Sequence, residues 1–369
     1  MNILLLTHQG DLAGSTHSIA YLAKGLSARG HKVYAGIRKE SLLFDLLEDT
    51  GVIRVPMTFT GRFDMDNVYQ IKQIVKSEKI QIINAQSSYD RYTSVFARWL
   101  HRLPVKIVHT RRQVSKSVGG FLQNLVYVKG THKVIAVSNG VKESLIQGGI
   151  PDEHISIVYN GTPKEKYQGI ESDLVHSLKK KYKISKGDKV IGCISRLKEQ
   201  KQLIKALSYL PFKVKLILAG IEQQEGWEEI IDQYPIPHEI FFVGSISSEE
   251  ALAHYKLFDL NILPSTIEGL SQSLLEAMFL KIPVIATNAA GNPDLVKHKE
   301  NGLLFKNGNE EELAAHIQLL FNDQSLYKQL AENGYETASQ KFSIENTLDS
   351  IENLFSSLLE EKEQAKPAP

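Results

Sequence analysis

Short apolar runs alternate along the chain with stretches whose apolar residues recur at intervals of three and four. A run bounded by polar or glycine-bearing segments reads as a buried strand, and the wider spacing reads as one face of a helix. In the first half NILLLTH, HKVYAGI, IQIINAQ, VKIVHT and KVIAVS are strand-like. Between the first two lies HSIAYLAKGLSARG, with Ile19, Leu22, Ala23 and Leu26 on one helical face and Gly30 where a helix-ending glycine belongs. The opening MNILLLTHQGD reads as the first buried strand and not as a signal peptide, because it lacks a basic leader and its apolar run is short. Near residue 163 the texture changes: TPKEKYQGIESDLVHSLKKKYKISKGD is polar, charged and almost strandless, and reads as a linker carrying one short helix. A second strand series follows in KVIGCIS, KVKLILAG, EIFFVG, LNILPS and IPVIAT. The final helix, IENTLDSIENLFSSLLE, has Ser343 as its N-cap and Ile344, Leu348, Ile351, Phe355 and Leu358 on one face. EKEQAKPAP after it is expected to fray.

Strands alternating with helices predict parallel sheets covered by helices, an α/β class. A chain of 369 residues is too long for one ordinary core, so two Rossmann-like doubly wound domains are expected, facing across a cleft. The expected boundaries are 1–165 for the first domain, 166–186 for the linker and 187–342 for the second domain. Helix 343–361 should pack back toward the first domain, with 362–369 as tail. No apolar stretch reaches the roughly 18–20 residues of a membrane span. The single cysteine, Cys193, sits in an apolar run and cannot form an internal disulfide, which favours a core role and a reducing, cytoplasmic setting.

Net charge is only +1, but residues 1–165 hold 21 Lys+Arg against 13 Asp+Glu, a surplus of +8, and the remainder is correspondingly acidic. The densest chemical signal is LPSTIEGLSQSLLEAMFLKIPVIAT. A strand ends at Pro264, a loop carries Glu268 and Gly269, and a helix begins near Ser271. The backbone N–H groups of Gly269, Leu270 and Ser271 are thus offered at a helix N-terminus, which attracts anions and phosphate above all. Glu276, within an otherwise apolar helix, needs hydrogen-bond donors, and a vicinal diol such as ribose supplies two.

The Glu-x7-Glu arrangement of EGLSQSLLE, followed by AM, IPVIAT, GNPDLV and ENGLLF, resembles glycosyltransferase family 4. LAGSTHSIAYLAKGLSARGHKV, VSNGV, VYNGT and ISRLKEQK are similar to further segments of that family, so the likeness spans the chain. It implies a GT-B fold, a nucleotide-sugar donor held by the C-terminal half, and transfer with retention of anomeric configuration. It also implies that Arg196 and Lys201 neutralise the donor diphosphate, that Glu268 contacts the donor sugar near the reacting centre, and that Glu276 holds the ribose. FFVGSIS resembles the loop lining the base, where Gly244 would admit close approach. Gly14 and Ser15 match a small-residue pair beside the phosphate and acceptor, and His109 matches a histidine facing the transferred sugar. One departure is Gln202, where the family usually carries glycine after the lysine. Arg196 and Lys201 suit phosphate on physical grounds as well, since one offers a fork and the other a point charge at the end of a buried strand.

Gly10 and Gly14 give G-x3-G and not the dinucleotide fingerprint, which argues against a dehydrogenase. No Cys cluster, no His-x3-His on a helix and no Asp-x-Asp at a strand end is present, so neither metal nor cofactor is expected. Between Arg91 and Lys142 lie ten Lys+Arg and no acidic residue, interleaved with Tyr92, Phe96, Trp99, Phe121 and Tyr127. Within it Arg111, Arg112 and Lys116 are candidates for contact with an anionic glycan or lipid-linked acceptor, or with an anionic membrane at its inner face. Nucleic acid is not expected, because no recognition motif accompanies the charge. The reading is a metal-independent retaining glycosyltransferase of surface polysaccharide or lipopolysaccharide synthesis, with a UDP-sugar favoured. A sugar-nucleotide epimerase and a non-catalytic nucleotide-sugar module are the alternatives.

Overall fold

The computed structural model describes residues 1–11, 14–114 and 120–364. The chain divides into two units, Met1–Pro163 with Phe342–Pro369, and Lys164–Lys341.

In the first unit strands β1 (Asn2–Thr7), β2 (Lys32–Ile37), β3 (Ile53–Pro56), β4 (Ile82–Ala85), β5 (Lys106–Arg111), β6 (Lys133–Ala136) and β7 (Ile155–Ile157) form one seven-stranded sheet in the order β3-β2-β1-β4-β5-β6-β7. All pairings are parallel, in register from Ile3 opposite Val33 on one side and Ile82 on the other. Strands buried on both faces need continuous apolar runs, which is why ILLL and KVIA carry no polar alternation. One face packs on helix Gly14–Ala28 through Ile19, Leu22, Ala23 and Leu26. The same core takes Ile344, Leu348, Ile351, Phe355 and Leu358 from the last helix, Ile344–Gln364. Each such side chain contributes about 1.5–3 kcal/mol on burial. The return is fixed at Gly161, where an added Cβ would lie 1.9 Å from the Ser343 carbonyl oxygen. Gly161 N–H donates to Thr347 Oγ1 at 2.7 Å. Residues 365–369 of the tail lie outside the described residues, and the helix runs on through 362–364.

In the second unit β8 (Val190–Ile194), β9 (Lys215–Ala219), β10 (Glu239–Gly244), β11 (Leu260–Leu263), β12 (Val284–Thr287) and β13 (Leu303–Phe305) form a six-stranded parallel sheet, ordered β10-β9-β8-β11-β12-β13. Cys193 is buried in β8, and burial pushes its thiol up to about 12. The segment expected to be a linker is instead a packed part of this unit. Its helix Ser172–Lys181 buries Leu178, and the following Tyr182 is buried with its hydroxyl 2.9 Å from His254 Nε2. Tyr167 stacks on Phe279 at 4.6 Å. Two aromatic anchors in a charged stretch suffice to dock it, although they make no periodic pattern. No helix of the described residues is long and apolar enough to cross a membrane.

Candidate active site

β8 and β11 are neighbours in space but not in sequence, and the strand order of the second sheet reverses between them. At such a switch point the loops leaving adjacent strands diverge and open a ligand site beyond the carboxyl ends. The loop after β8 carries Arg196 and leads into helix Gln200–Ala206, which holds Lys201; the loop after β11 carries Glu268, Gly269, Leu270 and Ser271. Strand pairing therefore brings the expected cations and carboxylates into one place.

Arg196 and Lys201 are both exposed, and neither side chain has a hydrogen-bond or ion-pair partner among the described residues. Their backbone, by contrast, is braced. Buried Gln200 donates from Nε2 to Ser195 Oγ at 2.7 Å and to the Arg196 carbonyl at 2.9 Å, and accepts from Lys198 N–H at 2.6 Å. Lys198 donates to Glu268, and Thr266 donates to Glu199, so the two loops are tied twice. Gln202 is buried and binds the loop after β13, accepting from Gly308 N–H at 2.8 Å and donating to Asn307 Oδ1 at 2.9 Å. A glycine there could make neither bond, so the departure from the family pattern replaces backbone freedom with a side-chain clasp.

Ser271 caps helix Gln272–Phe279, its Oγ accepting from Leu274 N–H at 3.3 Å. Gln272 Nε2 and Ser273 Oγ beside the cap are buried without a protein partner. Glu276, one turn on, is paired with Lys166. Sequence reasoning missed both lysines, because Lys166 lies in the supposed linker and Lys198 has no distinguishing context. The GNPDLV motif acts as a brace: Gly291 N–H donates to the Glu268 carbonyl at 3.2 Å, and Asn292 Nδ2 donates to the Ser265 carbonyl at 3.0 Å. Gly244 ends β10 at φ 68°, in the left-handed region that favours glycine.

In the first unit the strand order reverses between β1 and β4. Gly14, exposed, and Ser15 open the helix that follows β1. Beyond the two strand ends His8 Nδ1 lies 2.5 Å from Ser87 Oγ, and the His8 ring stacks on Tyr89 at 4.3 Å. Asp90 accepts from Gln86 and Ser87 N–H at 2.7 and 2.8 Å. This cluster had no signal in the sequence.

His109, on β5, is buried: Nδ1 donates to the Ala85 carbonyl at 3.0 Å and Nε2 lies 3.2 Å from Arg91 Nη1. Arg91 is itself buried, its guanidinium 4.0 Å from the Tyr127 ring centre. A cation donating to Nε2 leaves the imidazole neutral, and burial first, then Arg91 and Arg111, hold His109 well below the ordinary histidine range. Arg111 is half-buried, its Nε donating to the Gln113 carbonyl at 2.9 Å. Arg112 is half-buried as well. Its guanidinium turns inward, Nη2 donating to Gln86 Oε1 at 2.7 Å and Nη1 to Asn160 Oδ1 at 2.8 Å, and burial lowers it to about 10. Arg112, a candidate for contact with the acceptor or a membrane, thus has two neutral amide partners within the unit. Lys116 lies outside the described residues. Among the described residues no group of three or more His, Cys, Asp and Glu could hold a metal ion.

His109 is not alone in being held neutral. Burial lowers His238, His254 and His316, and burial with Arg98 and Lys106 takes His132 down to about 4. In the unfolded chain these rings titrate at about 6.5. Below that value the unfolded chain binds protons that the folded chain refuses, so stability rises with pH through this window and falls as pH drops. The calorimetric unfolding midpoint should decline steadily from about pH 6.5 toward pH 5, less steeply in His109→Gln. A midpoint constant over that range would contradict neutral burial.

The family described as Glycosyl transferases group 1 matches residues 176–337, and Glycosyltransferase Family 4 matches residues 12–166. The capsular polysaccharide biosynthesis glycosyltransferase CapM of Staphylococcus aureus is 24% identical over 81% of this chain and 83% of its own. The N-acetyl-alpha-D-glucosaminyl L-malate synthase of Bacillus anthracis is 24% identical over 96% of this chain and 93% of its own. Among solved structures, Anabaena HepE in complex with UDP superposes with a TM-score of 0.81 at 23% identity, covering 97% of this chain and all of that one. A glycosyltransferase from Rickettsia africae gives 0.83 at 21% identity, over 97% and 98%. The fold is thus GT-B, and with both of its halves matched the chain belongs to the family-4 glycosyltransferases.

Proposed function

We propose that this glycosyltransferase moves a sugar from a UDP-sugar to a glycan or lipid-linked acceptor of surface polysaccharide synthesis, with retention of anomeric configuration and without a metal ion, at the cytoplasmic side of the membrane. The observation that carries this reading is the pair of exposed, unpartnered cations Arg196 and Lys201 beside a helix N-terminus whose flanking carboxylates are Glu268 and Glu276. Cations and backbone N–H groups together neutralise a diphosphate, and Glu276 accepts from two ribose hydroxyls. The UDP bound by HepE and the capsular role named for CapM favour this donor and this acceptor class.

In the transfer the bond between the anomeric carbon and the diphosphate oxygen breaks, and a bond from the acceptor oxygen to that carbon forms on the same face. The acceptor proton passes to the departing diphosphate oxygen. His109, neutral and with both ring nitrogens engaged, is not the proton acceptor; it contributes a fixed polar wall. The protein's part is positioning and stabilisation of charge on the leaving group.

The test is incubation with a panel of nucleotide sugars and with glycan and lipid-linked acceptors in excess EDTA, with products read by NMR. Transfer of one UDP-sugar with retained configuration is the expected result. Activity that vanishes in EDTA and returns with Mg²⁺ or Mn²⁺ would overturn the metal-free mechanism. An isomerised donor would indicate an epimerase, and binding without turnover a non-catalytic module.

A further inference from the structure

Five large apolar side chains left in water lie on, or just before, two helices of the first unit, Met65–Ser77 and Ser88–His101. Phe63 is 63% exposed, Tyr69 55% and Trp99 44%, and Met65 and Leu100 are exposed beside them. The two helices pack against each other, and Phe63 bridges from the start of the first to the second. Phe63 meets Tyr92 at 6.2 Å and Phe96 edge-on at 5.8 Å between ring centres. Trp99 and Leu100 lie three and four positions beyond Phe96 on the same helical face.

The rim of the patch is cationic. Arg62, over the Tyr92 ring at 5.2 Å, and Lys72, over the Tyr69 ring at 5.1 Å, join Lys76 and Arg102. None of these cations is paired with a carboxylate among the described residues. The acidic residues nearby are mostly occupied. Asp64 and Asp90 turn inward as helix caps, and Glu78 binds Lys32 at 2.9 Å, which leaves Asp66 exposed. An exposed apolar surface whose rim carries four unpaired cations against one exposed carboxylate marks an interaction site, and the surplus of positive charge identifies an anionic counterpart.

We propose that this face docks the enzyme on an anionic lipid surface, with Phe63, Tyr69 and Trp99 as interfacial anchors and Arg62, Lys72, Lys76 and Arg102 as headgroup contacts. Amphipathic rings beside long-stemmed cations match the depth at which acyl chains give way to headgroups. The patch also has the right continuity with the chemistry. Helix Ser88–His101, 14 residues or about 21 Å long, starts beyond the carboxyl end of β4, where Gln86, Ser87 and His8 gather, and runs back along the sheet. A lipid-linked acceptor embedded in the bound membrane would then present its sugar at that edge. This deepens the proposed function, since it takes the acceptor to be lipid-linked. It moves the membrane contact from Arg111 and Arg112 to a different surface.

The test is co-sedimentation of the full chain with vesicles of phosphatidylcholine alone and of phosphatidylcholine mixed with phosphatidylglycerol, across salt concentration and without donor or acceptor. Wild type should bind the mixed vesicles and lose them as salt rises. Arg62→Ala and Arg102→Ala should each weaken partitioning about fivefold, and the triple variant Phe63→Ser, Tyr69→Ser, Trp99→Ser should abolish it. All variants should keep the wild-type calorimetric unfolding transition, which certifies their folding, and also its nucleotide affinity, since the proposed donor residues lie in the other unit. Absence of wild-type binding at low salt would overturn the proposal. So would binding that survives these changes but is lost in Arg111→Ala, or a patch that instead mediates self-association in sedimentation velocity. Transfer to a soluble acceptor analogue, measured separately, reports on the proposed reaction whether or not the vesicles are bound.

Discussion

Replacing Arg196 or Lys201 by alanine should lower turnover roughly 10²–10³-fold, the range for loss of one preorganised donor to a developing charge, while leaving the unfolding transition in place. The argument has two halves. For stability, both side chains are exposed and have no partner among the described residues, so their removal orphans nothing. The loop's shape rests on Gln200 and on the Lys198–Glu268 and Glu199–Thr266 ties, none of which uses the two cations. For catalysis, the leaving diphosphate gains charge as the anomeric bond breaks, and an interaction strengthened there lowers the barrier itself. The loss should therefore fall mainly on kcat. Arg196→Lys should recover part of the activity, since it restores charge but not the fork. Steady-state kinetics beside calorimetric melting separates the two halves. A variant that loses activity only in proportion to a lowered midpoint would show these residues to be structural.

Much of the fold is legible because strands buried on both faces cannot alternate. ILLL, IIN and KVIA announce themselves by composition, and the helix at residues 14–28 by its spacing. What the chain order hides is adjacency. Nothing in ISRLKEQK or IEGLSQS says that β8 lies beside β11, yet that pairing places Arg196 near Glu268. Gly161 looks like a turn glycine, and only the approach of Ser343 explains why no side chain fits. The linker was misread because Leu178 and Tyr182 are too few to make a pattern in a stretch dominated by lysine. The amide partners of Arg112 are equally unannounced, because a run of cations carries no sign of which one finds neutral oxygens. The counter-ions Lys166 and Lys198 were invisible for a related reason: a lysine becomes meaningful only through the carboxylate it meets.

Glu276→Ala should weaken binding of the bare nucleoside diphosphate by roughly ten- to a hundredfold, since a hydrogen bond to a charged group is worth about 1.5–3 kcal/mol. The Glu276 carboxylate sits on helix Gln272–Phe279 and is paired with Lys166. Both side chains are largely enclosed, at 13% and 10% exposure, so water competes poorly for the carboxylate. If two ribose hydroxyls are its partners, the loss must depend on those hydroxyls. A 2′-deoxy nucleoside diphosphate should bind wild type more weakly than the ribo form, whereas Glu276→Ala should barely distinguish the two. Lys166 needs its own control, because removing Glu276 leaves a cation that could hold the diphosphate and mask the loss. The double variant Lys166→Ala, Glu276→Ala removes that cation, and its preference for the ribo form should be equally flat. Calorimetry on wild type and Glu276→Ala with each of the two nucleotides isolates the coupling between carboxylate and hydroxyl, free of changes common to both nucleotides. A coupling near zero with wild-type affinity retained would take Glu276 out of the donor site and leave it as the partner of Lys166 alone.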